Sequence, residues 1–189
     1  MNILISGASG LIGSALTAAL QNRGDQVTGV SRTPSPNQVR WEEVTPELMN
    51  DFDAVINLAG ESISGRWTKS KKRRILDSRV NSTSAMATAI TGSKDPPRCI
   101  IQASAAGFYG DRNDQILNEE AGSGDGFLSE VCQQWEAAAS PVTNVGTRLV
   151  AARFGIVLAV GPGALGRLVL VTRLFLGGPL GTGRQWWRW

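Results

Sequence analysis

The sequence predicts an α/β fold built on a doubly wound parallel sheet, and three observations support this class. Short apolar runs alternate with longer segments of helical periodicity. A glycine-rich turn follows the first apolar run and opens the first helical segment. The 189 residues, 42% hydrophobic and 19% charged, suffice for an ordinary domain with a buried core. Because right-handed crossovers join such strands, helices should cover both faces of the sheet.

The first half of the chain contributes three main strands. We predict these strands at residues 2–6, 26–31 and 53–58, with a helix at residues 11–23 after the first of them. A Pro-rich loop at residues 33–38 leads to a short strand at 39–41 and a helical turn at 45–50.

The second half carries two long amphipathic helices. The helix at about residues 68–91 should face the sheet with Leu76, Val80, Thr83, Ala87 and Ile90. The helix at residues 127–139 should do so with Phe127, Val131, Trp135 and Ala138. The remaining predicted elements are strands at residues 98–104 and 147–158 and a helix at 164–176.

Three glycines with the spacing GxxGxxG lie between the first predicted strand and the first predicted helix. A bound phosphate needs backbone N–H groups and the positive end of a helix dipole, and side chains would keep it away from both. A glycine triplet at the first βα turn therefore indicates a Rossmann-like dinucleotide site. We place in this site Gly7, Ser9, Gly10, Leu11, Ile12 and Gly13.

The end of the second strand favours NADP(H) over NAD(H). NAD sites usually place a carboxylate here to bind the ribose 2′-hydroxyl, whereas this chain has Ser31 and Arg32. A hydroxyl and a guanidinium can bind a 2′-phosphate that a carboxylate would repel. The end of the third strand, at Leu58, Ala59 and Gly60, has small residues that leave room for the adenosine ribose.

Composition excludes several other classes of site. The chain has no histidine, which removes His-based metal sites and catalytic triads, and we predict no metal site. Cys99 and Cys132 are far apart in sequence and are interpreted as buried free thiols. The basic run at residues 69–74 is interpreted as a solvated helix face, because no aromatic residues alternate with it as in nucleic-acid sites.

The pattern also predicts a cytoplasmic protein. No apolar run reaches the length of a membrane span, and the N-terminus lacks the basic start and apolar stretch of a signal peptide. The chain ends at Trp186, Trp187 and Trp189, whose exposure would be unfavourable, so we expect a longer natural protein.

These motifs together resemble the extended short-chain dehydrogenase/reductase superfamily. The resemblance rests on the glycine spacing, on residues 57–60 and on residues 103–110. More narrowly, the chain resembles an atypical subgroup of sugar-nucleotide epimerase-like oxidoreductases, also labelled cell-division inhibitors. The narrower match rests on residues 31–32, 60–63, 66–68, 78–80, 135–139 and 183–187.

The resemblance implies a cofactor site and a domain division. Besides the residues above, it places Arg79, Ala103 and the region of Val157 in an NADP(H) site. It also implies a Rossmann domain at residues 1–160 and the start of an incomplete substrate lobe at 161–189. The expected substrate is a sugar nucleotide or a small carbonyl compound, and since related proteins are often dimers, a homodimer stays open.

The chain departs from the superfamily at its catalytic pair. Members usually carry a Tyr followed four residues later by a Lys, but the aligned positions here are Leu128 and Cys132. Ser104 and Tyr109, the only tyrosine, are left as candidate proton-relay residues. Two hypotheses follow: an NADP(H)-dependent epimerase-like oxidoreductase, or a regulatory protein that binds NADP(H) without turnover.

Overall fold

A computed structural model describes residues 1–159, 163–179, 181–183 and 186 of the chain. Six strands are described: β1 (Asn2–Ser6), β2 (Gln26–Ser31), β3 (Gln38–Arg40), β4 (Ala54–Asn57), β5 (Cys99–Ala105) and β6 (Arg148–Phe154). Five α-helices are described: α1 (Leu11–Asn22), α2 (Pro46–Met49), α3 (Lys69–Gly92), α4 (Phe127–Ala139) and α5 (Ala164–Arg173). Short 3₁₀ turns follow β3, β5 and α4.

The strands form one parallel sheet in the order β3-β2-β1-β4-β5-β6, which confirms the predicted doubly wound α/β class. The chain runs outward to one edge, returns to the middle at β4, and continues to the other edge. Successive side chains of β1 point to opposite faces of the sheet, so they belong to two separate core clusters. Ile3 and Ile5 pack with Leu20 of α1, while Leu4 packs with residues of α3 on the opposite face. The order reverses beside β1, where ligands bind in such sheets.

Two predicted elements end earlier than the sequence suggests. The last strand ends at Phe154 and not at residue 158, because its partner β5 ends at Ala105, the residue paired with Phe154. The last helix ends at Arg173 and not at residue 176, because Phe175 has a left-handed backbone with φ of 56°. Helix hydrogen bonding cannot continue through that conformation.

The buried faces of the long helices are rotated slightly from the prediction. On α3, Leu76 and Val80 are only half-buried, whereas Ile75 and Met86 are fully enclosed. On α4, Cys132 and Ala139 are buried, whereas Phe127 and Ala138 are half-buried. The reason is that α3 and α4 pack against each other as well as against the sheet. Cys99, also predicted to be buried, is half-buried.

No helix in the described part of the chain combines the length and the apolar character that crossing a membrane requires.

A buried polar network joins the carboxyl ends of the central strands. Asn57 at the end of β4 donates through Nδ2 to Thr83 Oγ1 at 2.9 Å and to Gln102 Oε1 at 2.9 Å. Trp135 Nε1 of α4 donates to the same threonine oxygen at 3.0 Å, and Ser6 of β1 donates to Asn57 Oδ1. All these polar side-chain atoms are paired, so the network fixes the strand ends without leaving a buried group unsatisfied.

Replacing the central hydroxyl should destabilise the fold. We expect Thr83→Val to lower the free energy of unfolding by about 3 kcal/mol, because Asn57 and Trp135 would each lose a buried acceptor. Urea denaturation followed by circular dichroism measures this change. Thr88→Val, at an exposed position of the same helix, is the matched control and should change it by less than about 0.5 kcal/mol. Equal stability of the two variants would contradict the role given to the network.

Candidate functional site

The turn between β1 and α1 brings backbone close to backbone. Gly7 has φ of 72°, and a Cβ atom there would lie 2.9 Å from the carbonyl carbon and oxygen of Leu58. A Cβ atom on Gly13 would overlap the carbonyl oxygen of Gly7. Glycine is therefore required at both positions, the first for its conformation and the second for its close approach.

Helix α1 presents an uncapped N-terminus at this turn. Its N-cap residue, Gly10, has no side chain to cap the helix, and the first turn contains no acidic residue. The backbone N–H groups of such a terminus and the helix dipole attract an anion. The turn thus has the shape and the polarity that a dinucleotide phosphate requires, which is the fit expected from its glycine spacing.

A cavity of about 580 Å³, here called the nucleotide cavity, opens in front of this turn. It contains most of the sequence-predicted binding residues, namely Gly7, Ser9, Gly10, Ser31, Arg32, Leu58, Ala59 and Gly60. Leu11, Ile12 and Gly13 do not line it but form the first turn of α1. Ala103 is buried in β5, and Val157 is exposed beyond the end of β6, so neither lines this cavity.

Several residues of the nucleotide cavity were not anticipated from the sequence. They are Trp41, Glu61, Ser78, Asn81, Ser82 and Ala85. The last four recur at helical spacing on α3, so a stripe of small and polar residues on that helix was the available signal. Glu61 is held by Lys71, whose Nζ lies 2.7 Å from its carboxylate, and this hydrogen bond and charge lower the pKa of Glu61.

A second cavity of about 410 Å³, here called the apolar cavity, lies between the ends of β5 and β6 and helices α3 and α4. Its lining is mostly carbon: Ile63, Ile75, Arg79, Ala105, Ala106, Gly107, Leu128, Val131, Cys132, Trp135, Phe154, Gly155, Ile156 and Trp186. Leu128 and Cys132 thus face this cavity at the positions where the resemblance would place Tyr and Lys. Burial raises the pKa of the Cys132 thiol, which keeps it protonated at neutral pH.

Arg79 stands between the two cavities. Its Nη1 donates to the carbonyl oxygens of Glu61 and Ile75, both at 3.0 Å, and its guanidinium carbon lies 4.9 Å from the ring centre of Trp135. A Cβ atom on Gly60, in the nucleotide cavity, would lie 3.1 Å from the same carbon. Burial lowers the pKa of Arg79, but an arginine this far above neutrality stays charged. Arg79 therefore lines the apolar cavity and lies against the backbone at the edge of the nucleotide cavity.

The two candidate proton-relay residues belong to one chain of hydrogen bonds. Ser104 is buried and donates to Glu136 Oε1 at 2.5 Å, while Arg153 donates to both oxygens of Glu136 at 2.9 Å. Arg153 Nη1 also donates to the hydroxyl oxygen of Tyr109 at 2.9 Å. Ser104 and Tyr109 are thus linked, but neither lines the apolar cavity, which Ala105 lines instead. Sequence reasoning missed Glu136 and Arg153.

The carboxylate of Glu136 is stabilised in its charged form. Burial alone would raise its pKa, but hydrogen bonds from Arg153 and Ser104 outweigh this effect, so the pKa lies below its usual value. Arg153 also lies 3.6 Å from the ring centre of Phe108. The bidentate pair therefore fastens α4 to β6 and to the turn after β5.

This pair should make stability depend on pH. Because the folded-state pKa of Glu136 is lowered, its contribution is present above the unfolded-state pKa of about 4.3 and is lost as the pH falls through the folded-state value. We expect Glu136→Gln to cost about 2 kcal/mol of unfolding free energy at neutral pH, and less in acid. Urea denaturation across this pH range measures the difference. Glu130→Gln, an exposed change on the same helix, is the control, and a constant difference would refute the assignment.

Comparisons with known proteins identify the family of the chain. The model of the family described as NAD dependent epimerase/dehydratase matches residues 3–127. Human epimerase family protein SDR39U1 is 38% identical over 193 residues, covering 100% of this chain and 66% of the human protein. Epimerase family protein YfhF of Bacillus subtilis is 38% identical over 199 residues, covering 100% of this chain and 65% of its own length. The chain spans just under two thirds of the length of these curated relatives.

Two solved structures are similar at the same level of identity. The crystal structure of human SDR39U1 with NADPH superposes with a TM-score of 0.89 at 38% identity, covering 99% of this chain and 64% of the human one. A nucleoside-diphosphate sugar epimerase from Corynebacterium glutamicum gives 0.84 at 38% identity, covering 99% of this chain and 40% of that one. MoeE5 in complex with UDP-glucose and NAD, at 23% identity and 0.72, shares the fold.

Proposed function

The chain belongs to the NAD dependent epimerase/dehydratase family, and we propose that it is an NADP(H)-binding, epimerase-like oxidoreductase that works without a Tyr–Lys pair. The observation that carries the proposal is the glycine turn. Because Gly7 and Gly13 have no side chains, a phosphate can reach the backbone amides at the start of α1. The NADPH bound in the human relative's crystal structure supports the choice of cofactor.

The nucleotide cavity supplies the groups that would hold this cofactor. The turn at Gly7–Gly10 and the start of α1 would bind the diphosphate, Ser31 and Arg32 the 2′-phosphate, and Leu58–Gly60 the adenosine ribose. Arg79 would contact the part of the cofactor that reaches toward the apolar cavity. Ala103 and the segment at Val157 stay part of the proposed cofactor site on the ground of the resemblance alone. When bound, the nicotinamide supplies or accepts a hydride.

The residues at 161–189 would then begin the lobe that covers the substrate, and residues 1–160 would form the dinucleotide domain. The described part of that lobe exposes apolar side chains on α5, including Val169 and Leu170. We propose a small-molecule substrate and a cytoplasmic protein.

A non-catalytic, NADP(H)-sensing protein is the second candidate. The observation that favours it is the wall of the apolar cavity, where Leu128 and Cys132 offer no base or acid of the usual kind. Ser104 and Tyr109 remain our proposed proton-handling groups for an active enzyme. Because Glu136 and Arg153 engage both hydroxyls outside the cavity, their participation requires this chain of hydrogen bonds to rearrange.

The cofactor preference should depend on one guanidinium. We expect wild-type protein to bind NADPH at least about tenfold more tightly than NADH, and Arg32→Ala to lose most of that preference, because a charged contact to the 2′-phosphate disappears. Isothermal titration calorimetry with both nucleotides measures it. Arg23→Ala, at an exposed arginine that does not line the nucleotide cavity, is the control. An unchanged preference in Arg32→Ala would remove the role given to this residue.

Turnover separates the two candidate functions. An oxidoreductase should oxidise NADPH in the presence of some member of a carbonyl library, and Ser104→Ala should slow that oxidation by about a hundredfold or more if the hydroxyl handles the proton. Loss of NADPH fluorescence follows the reaction. Tight NADPH binding without oxidation by any compound would favour the sensing protein, and unaltered turnover in Ser104→Ala would exclude this serine.

A further inference from the structure

We propose that Arg74, at the rim of the nucleotide cavity, is a further specificity-determining residue that binds the 2′-phosphate of NADP(H) together with Arg32. This inference rests on the proposed function, because it adds a residue to the same cofactor site. From the sequence, the basic run at residues 69–74 is interpreted as a solvated helix face. The directions and partners of its side chains on α3 separate Arg74 from the rest of that run.

The charge of the 2′-phosphate is the first reason to look for a second cation. A phosphate monoester carries about −1.5 to −2 charges at pH 7, whereas one guanidinium supplies a single positive charge. Among the described residues that line the nucleotide cavity, Arg32 is the only cation, and Glu61 adds a negative charge. A cation at the rim would therefore complete the charge balance around this phosphate.

The helical spacing of α3 directs Arg74 toward this cavity. Four residues of α3, from Ser78 to Ala85, line the cavity, and Arg74 lies four residues before the first of them on the same face of the helix. Arg73 is rotated from that face by about 100° around the helix axis. Its Nε lies 3.1 Å from the carboxylate of Asp77, and its side chain is 79% exposed. The two adjacent arginines therefore point in different directions.

Glu61 marks the place where the two guanidinium groups come near each other. Its Oε1 lies 2.7 Å from Lys71 Nζ and 3.8 Å from Arg74 Nε. The hydrogen bond and the charge of Lys71 lower the pKa of Glu61 most. The charges of Arg74 and Arg32 lower it further, so both guanidinium groups lie near this one carboxylate at the cavity wall.

Arg74 is available to an incoming phosphate, whereas Lys71 is not. The Lys71 side chain is only 13% exposed, and its short contact with Glu61 compensates the negative charge of the cavity wall. The Arg74 side chain is 58% exposed, its Nη1 bonds to Ser70 Oγ at 3.0 Å, and its contact with Glu61 is long. Exposed contacts of this kind contribute little, so Arg74 can exchange them for a charge-assisted hydrogen bond to phosphate.

Isothermal titration calorimetry of the whole chain with NADPH and NADH tests the inference. We expect Arg74→Gln to weaken NADPH binding about fivefold or more and to change NADH binding by less than about twofold, since only NADPH carries the 2′-phosphate. Arg73→Gln, the same change at the adjacent position, is the matched control and should leave both affinities unchanged. Titration with 2′,5′-ADP and with ADP should reproduce the difference without the nicotinamide.

The outcomes separate this inference from the proposed function. Equal losses of NADPH and NADH affinity in Arg74→Gln, or the same NADPH affinity in Arg74→Gln and Arg73→Gln, would overturn the inference. Either result leaves the proposed function standing, because the wild-type protein still binds NADPH. Absence of NADPH binding in the folded wild type would remove the proposed function itself, and the inference with it.

Discussion

The hydrogen bonds that converge on Thr83 are the constraint on which the rest of the site depends. They tie Asn57 of β4, Gln102 of β5 and Trp135 of α4 to one hydroxyl of α3, and Ser6 of β1 joins through Asn57. Each of these strand residues lies at or near the end of its strand, before a segment that forms a cavity wall. Residues 7–10 follow Ser6, residues 58–61 follow Asn57, and residues 105–107 follow shortly after Gln102. Both cavities are therefore built on a single rigid junction.

Local pattern was sufficient for the sheet and for the phosphate turn. Alternation of apolar runs and helical periodicity predicts the strands β1, β2, β4 and β5 to within a residue or two, because buried parallel strands and amphipathic helices differ in period. The turn was predictable for a different reason. Backbone atoms approach Gly7 and Gly13 so closely that no side chain fits there, and the glycine spacing is therefore visible in the sequence. Strand and helix ends after residue 154 depend on partner length and backbone handedness, which the pattern does not encode.

Long-range pairing explains what the sequence could not supply. The sequence identifies Ser104 and Tyr109 as candidate hydroxyl groups, but it does not show their partners. Ser104 bonds to Glu136, which is 32 residues away, and Tyr109 bonds to Arg153, which is 44 residues away. Likewise, the rotation of α3 and α4 arises from their contact with each other. Motifs identify functional groups. The hydrogen-bond partners of these groups, and the faces that the helices bury, follow from packing between elements that are distant in sequence.

The position of Arg79 ties the two compartments together energetically. The Arg79 guanidinium lies between the nucleotide cavity and the apolar cavity. An anion bound in one cavity would partly neutralise this charge and so weaken its attraction for an anion in the other cavity. By thermodynamic linkage, the free energy by which an occupant on one side alters affinity on the opposite side is the same in both directions. Any such coupling between the dinucleotide pocket and its neighbour would pass through a single side chain on α3.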